Sequence, residues 1–155
     1  MHPEPLPPPT ADLAEAMIGV WRLATREDYD GSGRRVIDPV LGADPFGILC
    51  FSPTHFSAQF MKRHRDPESA ATVPDAAAAN NSVASNGYDA YFGSYVVDAP
   101  AGLVTVHLEG AITSGNVGLT FTREIRASAD RLWIRLATNA ADGIPITRTL
   151  TFERS

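Results

Sequence analysis

The sequence predicts an all-β fold: an eight-stranded antiparallel barrel with a short N-terminal helix and one long lid-like loop. Three observations carry this prediction. From Gly19 onward, apolar and polar residues alternate with a period of two in short segments. Compact turn clusters separate the segments, among them Asp30-Gly31-Ser32-Gly33, Ser52-Pro53-Thr54, Asp98-Ala99-Pro100-Ala101-Gly102 and Ser128-Ala129-Asp130. Finally, eight such segments are enough to close a sheet on itself and so remove its exposed edges. A chain of 155 residues fits one domain of this kind.

The elements follow in order. The proline-rich start, Met1 to Thr10, reads as an extended flexible tail, which leaves 11–155 for the barrel domain. Thr10 is placed to cap a helix over Ala11 to Ile18, with Asp12 in the first turn and Leu13 and Met17 on an apolar stripe. So short a helix persists only by docking, and one mouth of the barrel is the natural place. Strands are predicted over Val20–Tyr29, Phe46–Phe51, His55–Lys62, Tyr88–Val97, Leu103–Glu109, Gly118–Ala127, Arg131–Thr138 and Ile146–Glu153. Pro39 to Pro45 is irregular. Arg63 to Asn86 lacks alternation and reads as the long loop over a site, with Ala76 to Ala79 able to form a turn or two of helix.

Composition excludes several function classes. Net charge is −5, so a phosphate backbone or an anionic lipid surface would repel the chain, and neither nucleic acid nor membrane is an expected partner. Cys50 is alone and lies in the apolar run Gly47 to Phe51, where it is expected as a buried structural thiol. Without disulfides, and without a basic segment leading into an apolar one at the N-terminus, the cytoplasm is the expected compartment. The four histidines, His2, His55, His64 and His107, show no metal-ligand spacing, and no phosphate loop, nucleophile elbow or dinucleotide fingerprint is present. No cofactor or metal is expected.

The chemistry-bearing candidates come from the face assignments. Thr105, His107 and Glu109 share one face of their strand, with Val104, Val106 and Leu108 on the other. Same-face neighbours stand about 7 Å apart, so His107 and Glu109 can share a hydrogen bond or a water and act as a base and its orienting carboxylate. This requires their face to point inward, whereas the apolar row argues that it points out. His55, Ser57, Gln59 and Met61 alternate with Phe56, Ala58 and Phe60 and pose the same choice. Tyr91, Gly93 and Tyr95 share a face, and the two phenols can donate to a ligand carbonyl. Arg123 and Arg148 are charges in otherwise apolar rows, so each must find a partner or neutralise a ligand.

Two stretches resemble a known family. Gly19-Val20-Trp21, after a short helix and at the opening of the first strand, is similar to the Gly-x-Trp signature of lipocalin-type barrels. The order and spacing of Phe51-Ser52-Pro53-Thr54-His55-Phe56-Ser57-Ala58-Gln59-Phe60-Met61, Tyr91-Phe92-Gly93-Ser94-Tyr95, Val104 to Gly110 and Arg123 resemble the bacterial and fungal lipocalin-like domain family over about Met17 to Arg154. The resemblance implies a barrel with a central cavity, Gln59 and Met61 lining it, and a late arginine, Arg154 or Arg148, stacked on Trp21.

The functional expectation is a small hydrophobic or aromatic molecule held inside the barrel. Its candidate contacts are Ser57, Gln59, Met61, Tyr91, Tyr95, Thr105, His107, Glu109, Arg123 and Arg148. The alternative is a cofactor-free isomerase, cyclase or dehydratase of secondary metabolism, with His107, Glu109 and Tyr91 as acid and base. A homodimer is compatible with either.

Overall fold

The structure, a computed structural model, describes residues 3–65 and 87–155. The expected lid-like loop falls outside them apart from residues 63–65, as does the turn of helix expected at Ala76 to Ala79.

Among the described residues, one short helix, α1 (Leu13–Met17), precedes nine strands: β1 (Gly19–Asp30), β2 (Arg35–Val36), β3 (Phe46–Phe51), β4 (His55–Met61), β5 (Tyr88–Asp98), β6 (Leu103–Ala111), β7 (Thr120–Ala127), β8 (Arg131–Asn139) and β9 (Pro145–Arg154). All pair antiparallel in chain order from β3 to β9, and β1 pairs with both β3 and β9, which closes an eight-stranded barrel. β2 is an added edge strand paired to the far end of β1. The sequence reading missed it, because two residues are too few to show alternation. The other strands sit where the alternation placed them, to within two residues at each end.

One end of the barrel is shut. The stripe of α1, Leu13 and Met17, is fully buried, and so is Trp21 at the start of β1. The indole Nε1 donates to the Met17 carbonyl at 2.8 Å. Arg154, not Arg148, stacks on Trp21, 4.1 Å from the ring centroid, and donates to the carbonyls of Ala16, Ile18 and Ala129. Gly19, at φ +132°, has Arg154 where a Cβ would stand, so this crossing of chain and guanidinium requires glycine. Thr10 does not cap α1. Its hydroxyl donates to the Ala127 carbonyl and accepts from the Ala127 amide, while Arg126 donates to the Pro7 carbonyl and Arg135 to that of Glu4. The start of the chain is thereby held against β7 and β8.

Two bulges set which residues face inward, because one extra residue reverses the alternation beyond it. In β1, Leu23 pairs with Phe152 but Thr25 with Thr151, leaving Ala24 as the extra residue. Counting in twos from Trp21 would turn Arg26 and Asp28 outward. After Ala24 they turn inward and are buried. In β6, Leu108 pairs with Gly93 and Gly110 with Phe92, so Glu109 is extra. The strands come so close there that a Cβ on Gly93 would meet the His107 carbonyl oxygen at 1.8 Å.

A cavity with an apolar floor and a charged rim

The barrel encloses a cavity of about 340 Å³. This is at the small end of the range for ligand pockets, about 300–1,000 Å³. Its deeper wall is apolar: Leu49, Phe51, Phe56, Val106, Ile125 and Phe152 contribute from five strands. The rings of Phe56 and Phe60 flank Tyr91 with centroids 6.0 and 6.2 Å away. Toward the end opposite α1 the lining becomes polar, with Arg26, Asp89, Tyr91, Arg123, Thr138 and Arg148.

Most of the charge at the rim is paired. Arg148 donates to both oxygens of Asp28, at 2.8 and 3.0 Å, across the β9–β1 pair. Arg26 donates to Asp38 at 2.7 Å. Burial opposes ionisation of Asp38, but the Val40 amide and the Arg26 guanidinium outweigh it, and the carboxyl titrates below its ordinary value. Asp38 also accepts from the amides of Val40 and Leu41, which folds Leu41 over the mouth, where it is buried and lines the cavity. Arg26 Nη1 is buried with no hydrogen-bond partner among the described residues.

Three groups stand apart from these pairs. Burial pushes the Asp89 carboxyl up, and the Ala90 amide, Arg26 and Arg148 offset this only in part. Burial likewise pushes the Tyr91 phenol up, with Asp89 acting in the same direction, so it remains a protonated donor. Arg123 has no carboxylate within ion-pair distance among the described residues; its one hydrogen bond goes to the Thr122 carbonyl at 3.2 Å, and its guanidinium lies 4.9 Å from the Phe121 ring centroid. Burial pulls its pKa down.

The sequence-derived candidates divide by face. Tyr91, Arg123 and Arg148 line the cavity. Thr105, His107 and Glu109 lie exposed on the outside of β6, while Val104, Val106 and Leu108 fill the interior. The inward orientation considered for His107 and Glu109 is therefore corrected: the apolar row takes the buried side. Glu109 pairs instead with His55 on the outer wall, at 3.5 Å. Ser57 and Gln59 are also outside, with Phe56, Ala58 and Phe60 buried. Met61 lies with Gln59 and Tyr88 along an outer groove, where Tyr88 donates to Gln59. The inward placement of Gln59 and Met61 implied by the resemblance is thus corrected too. Tyr95 is inward but at the shut end, donating to the Ser52 carbonyl at 2.5 Å. Cys50 is partly exposed on the outer face of β3, not buried. Arg26, Asp28, Asp38 and Asp89 were not foreseen. The first two are hidden by the Ala24 bulge and Asp38 by an irregular loop. Asp89 alone carried a signal, since it shares the face of Tyr91.

Among the described residues, no grouping of His, Cys, Asp and Glu could hold a metal ion, and no helix is long and apolar enough to cross a membrane. No curated protein matches the chain significantly. A family model, described as a lipocalin-like domain, matches residues 18–155, which takes in every strand of the barrel. The protein is a member of the lipocalin-like domain family.

Proposed function

We propose that the protein binds a small hydrophobic or aromatic molecule inside its barrel. The observation that carries this reading is the 340 Å³ cavity, apolar and closed at one end, with Tyr91, Arg123 and Arg148 converging on it from three strands. Such a space takes an apolar body below and fixes one polar end above. Fold alone does not assign a ligand; the reading rests on the cavity.

The test is fluorescence titration with 2-naphthol, an uncharged aromatic probe, against the wild type and an Ile134→Trp variant that fills the cavity from β8. Saturable one-to-one binding that weakens at least about ten-fold in the variant supports the reading. Equal binding by both proteins places the probe elsewhere and overturns it.

A second reading, a cofactor-free isomerase, cyclase or dehydratase, is favoured by Asp89. A cavity-facing carboxyl pushed up by burial is suited to take a proton from a bound substrate and return it, with the Tyr91 phenol as a neighbouring donor. This reading assigns the acid–base role to Asp89 and Tyr91, since His107 and Glu109 face outward. Exchange of the α-protons of 2-tetralone for deuterium, followed by NMR, tests it: catalysis above buffer that is lost in Asp89→Asn supports an enzyme, and exchange at the buffer rate opposes one.

A further inference from the structure

We infer that the cavity selects an anionic ligand, an aromatic or alicyclic molecule carrying one carboxylate or an equivalent oxyanion, and that Arg123 is its counter-ion. This rests on the proposed binding in the barrel and names the ligand's chemical class. The argument is one of charge. Three arginines and the aspartates Asp28, Asp38 and Asp89 surround the upper cavity. Arg148 is neutralised by Asp28, to which it donates two hydrogen bonds, and Arg26 by Asp38 at 2.7 Å. Asp89 does not serve Arg123: among the described residues no ion pair joins them, and the Arg123 guanidinium donates to the Thr122 carbonyl instead. Among the described residues, Arg123 is left as a cation without a carboxylate partner in an apolar row, between Phe121 and Ile125 on the inner face of β7.

A guanidinium offers five N–H donors. Here one is spent on the Thr122 carbonyl, and the group is partly withdrawn from water. A cation so placed is costly unless an anion joins it. A planar carboxylate fits best, since it can accept two parallel N–H bonds from the fork. Tyr91 provides an adjacent O–H, raised above its ordinary titration range by burial, with no hydrogen-bond partner of its own among the described residues. An ester, amide or hydrocarbon of the same shape would leave the guanidinium without a counter-ion.

The experiment compares 2-naphthoate with 2-naphthamide, its uncharged near-isostere, by calorimetry at neutral pH. The wild type is expected to bind the acid at least about ten-fold more tightly. In Arg123→Met that preference is expected to vanish while the amide still binds. A measurement on the wild type alone guards against a variant that does not fold. With the carboxyl carbon labelled with ¹³C, the bound acid should titrate below its free value, since a counter-ion favours the charged form, whereas an apolar site without one would raise it. Equal affinity for acid and amide, or a bound carboxyl that titrates above its free value, overturns the inference and leaves the cavity reading intact. A preference for the acid that survives Arg123→Met overturns the assignment to Arg123. Failure of both compounds to bind strikes the cavity reading itself.

Discussion

Replacing Asp28 by leucine removes the acceptor at the centre of the rim network. Its carboxylate is 4% exposed and receives two hydrogen bonds from Arg148, with Arg26 Nη2 3.9 Å away. The variant leaves Arg148 with only Asp38, at 3.9 Å. Breaking a buried pair by removing one partner costs about 3–5 kcal/mol; because Arg148 is 21% exposed, about 3 kcal/mol is expected here. In urea, with a slope of about 2 kcal/mol/M for a domain of this size, the unfolding midpoint should fall by about 1.5 M. The double variant Asp28→Leu/Arg148→Met removes both charges and leaves the Arg26–Asp38 pair in place, so it should recover to within about 1 kcal/mol of the wild type. A single variant within about 0.5 kcal/mol of the wild type, or a double variant no more stable than the single, would refute the reasoning that uncompensated charge, and not lost shape, sets the cost.

Four further outcomes follow from the same geometry. Arg154→Ala loses the stack on Trp21 and three carbonyl contacts at the shut end; a loss of about 2 kcal/mol, seen as a melting point lower by about 4–8 °C, is expected. Gly93→Ala drives a Cβ into the His107 carbonyl at the β5–β6 bulge and should cost about 3 kcal/mol or more in urea unfolding. His107→Ala, on the outer wall, should leave both probe affinity and the melting point unchanged, with stability within about 0.5 kcal/mol. Asp89→Asn should be more stable than the wild type at pH 8. Burial raises the folded-state pKa of Asp89, so the native state holds its proton more tightly than the unfolded chain does and wild-type stability falls as pH rises through that window. The advantage of the variant, measured by melting point across pH, should therefore shrink toward zero as the pH drops below the ordinary carboxylate range.

What was legible in the sequence was whatever depends on period and punctuation. The turn clusters divided the chain at the observed strand ends, and the apolar rows Val104–Val106–Leu108 and Leu132–Ile134–Leu136 do face the interior. Arg123 and Arg148 stood out as charges breaking such rows, and both line the cavity. What could not be read depends on one-residue events. The bulge at Ala24 carries no glycine or other mark in the sequence, yet it alone turns Arg26 and Asp28 from the outer to the inner face. Asp38 reaches the rim from a loop whose shape is set by its own bonds to Val40 and Leu41. His107 and Glu109 had the right chemistry on the wrong side, and the apolar row opposite them was the better guide.

The most direct test of the central claim is a titration of ¹⁵N-labelled protein with 2-naphthol, read by amide chemical shifts. Binding inside the barrel predicts saturable changes at cavity-facing positions from several strands, Tyr91, Leu108, Ile134 and Leu150 among them, with smaller ones at the exposed Ser57, Gln59 and Glu109. Shifts confined to the outer wall, or no saturable shifts at any position, would contradict it.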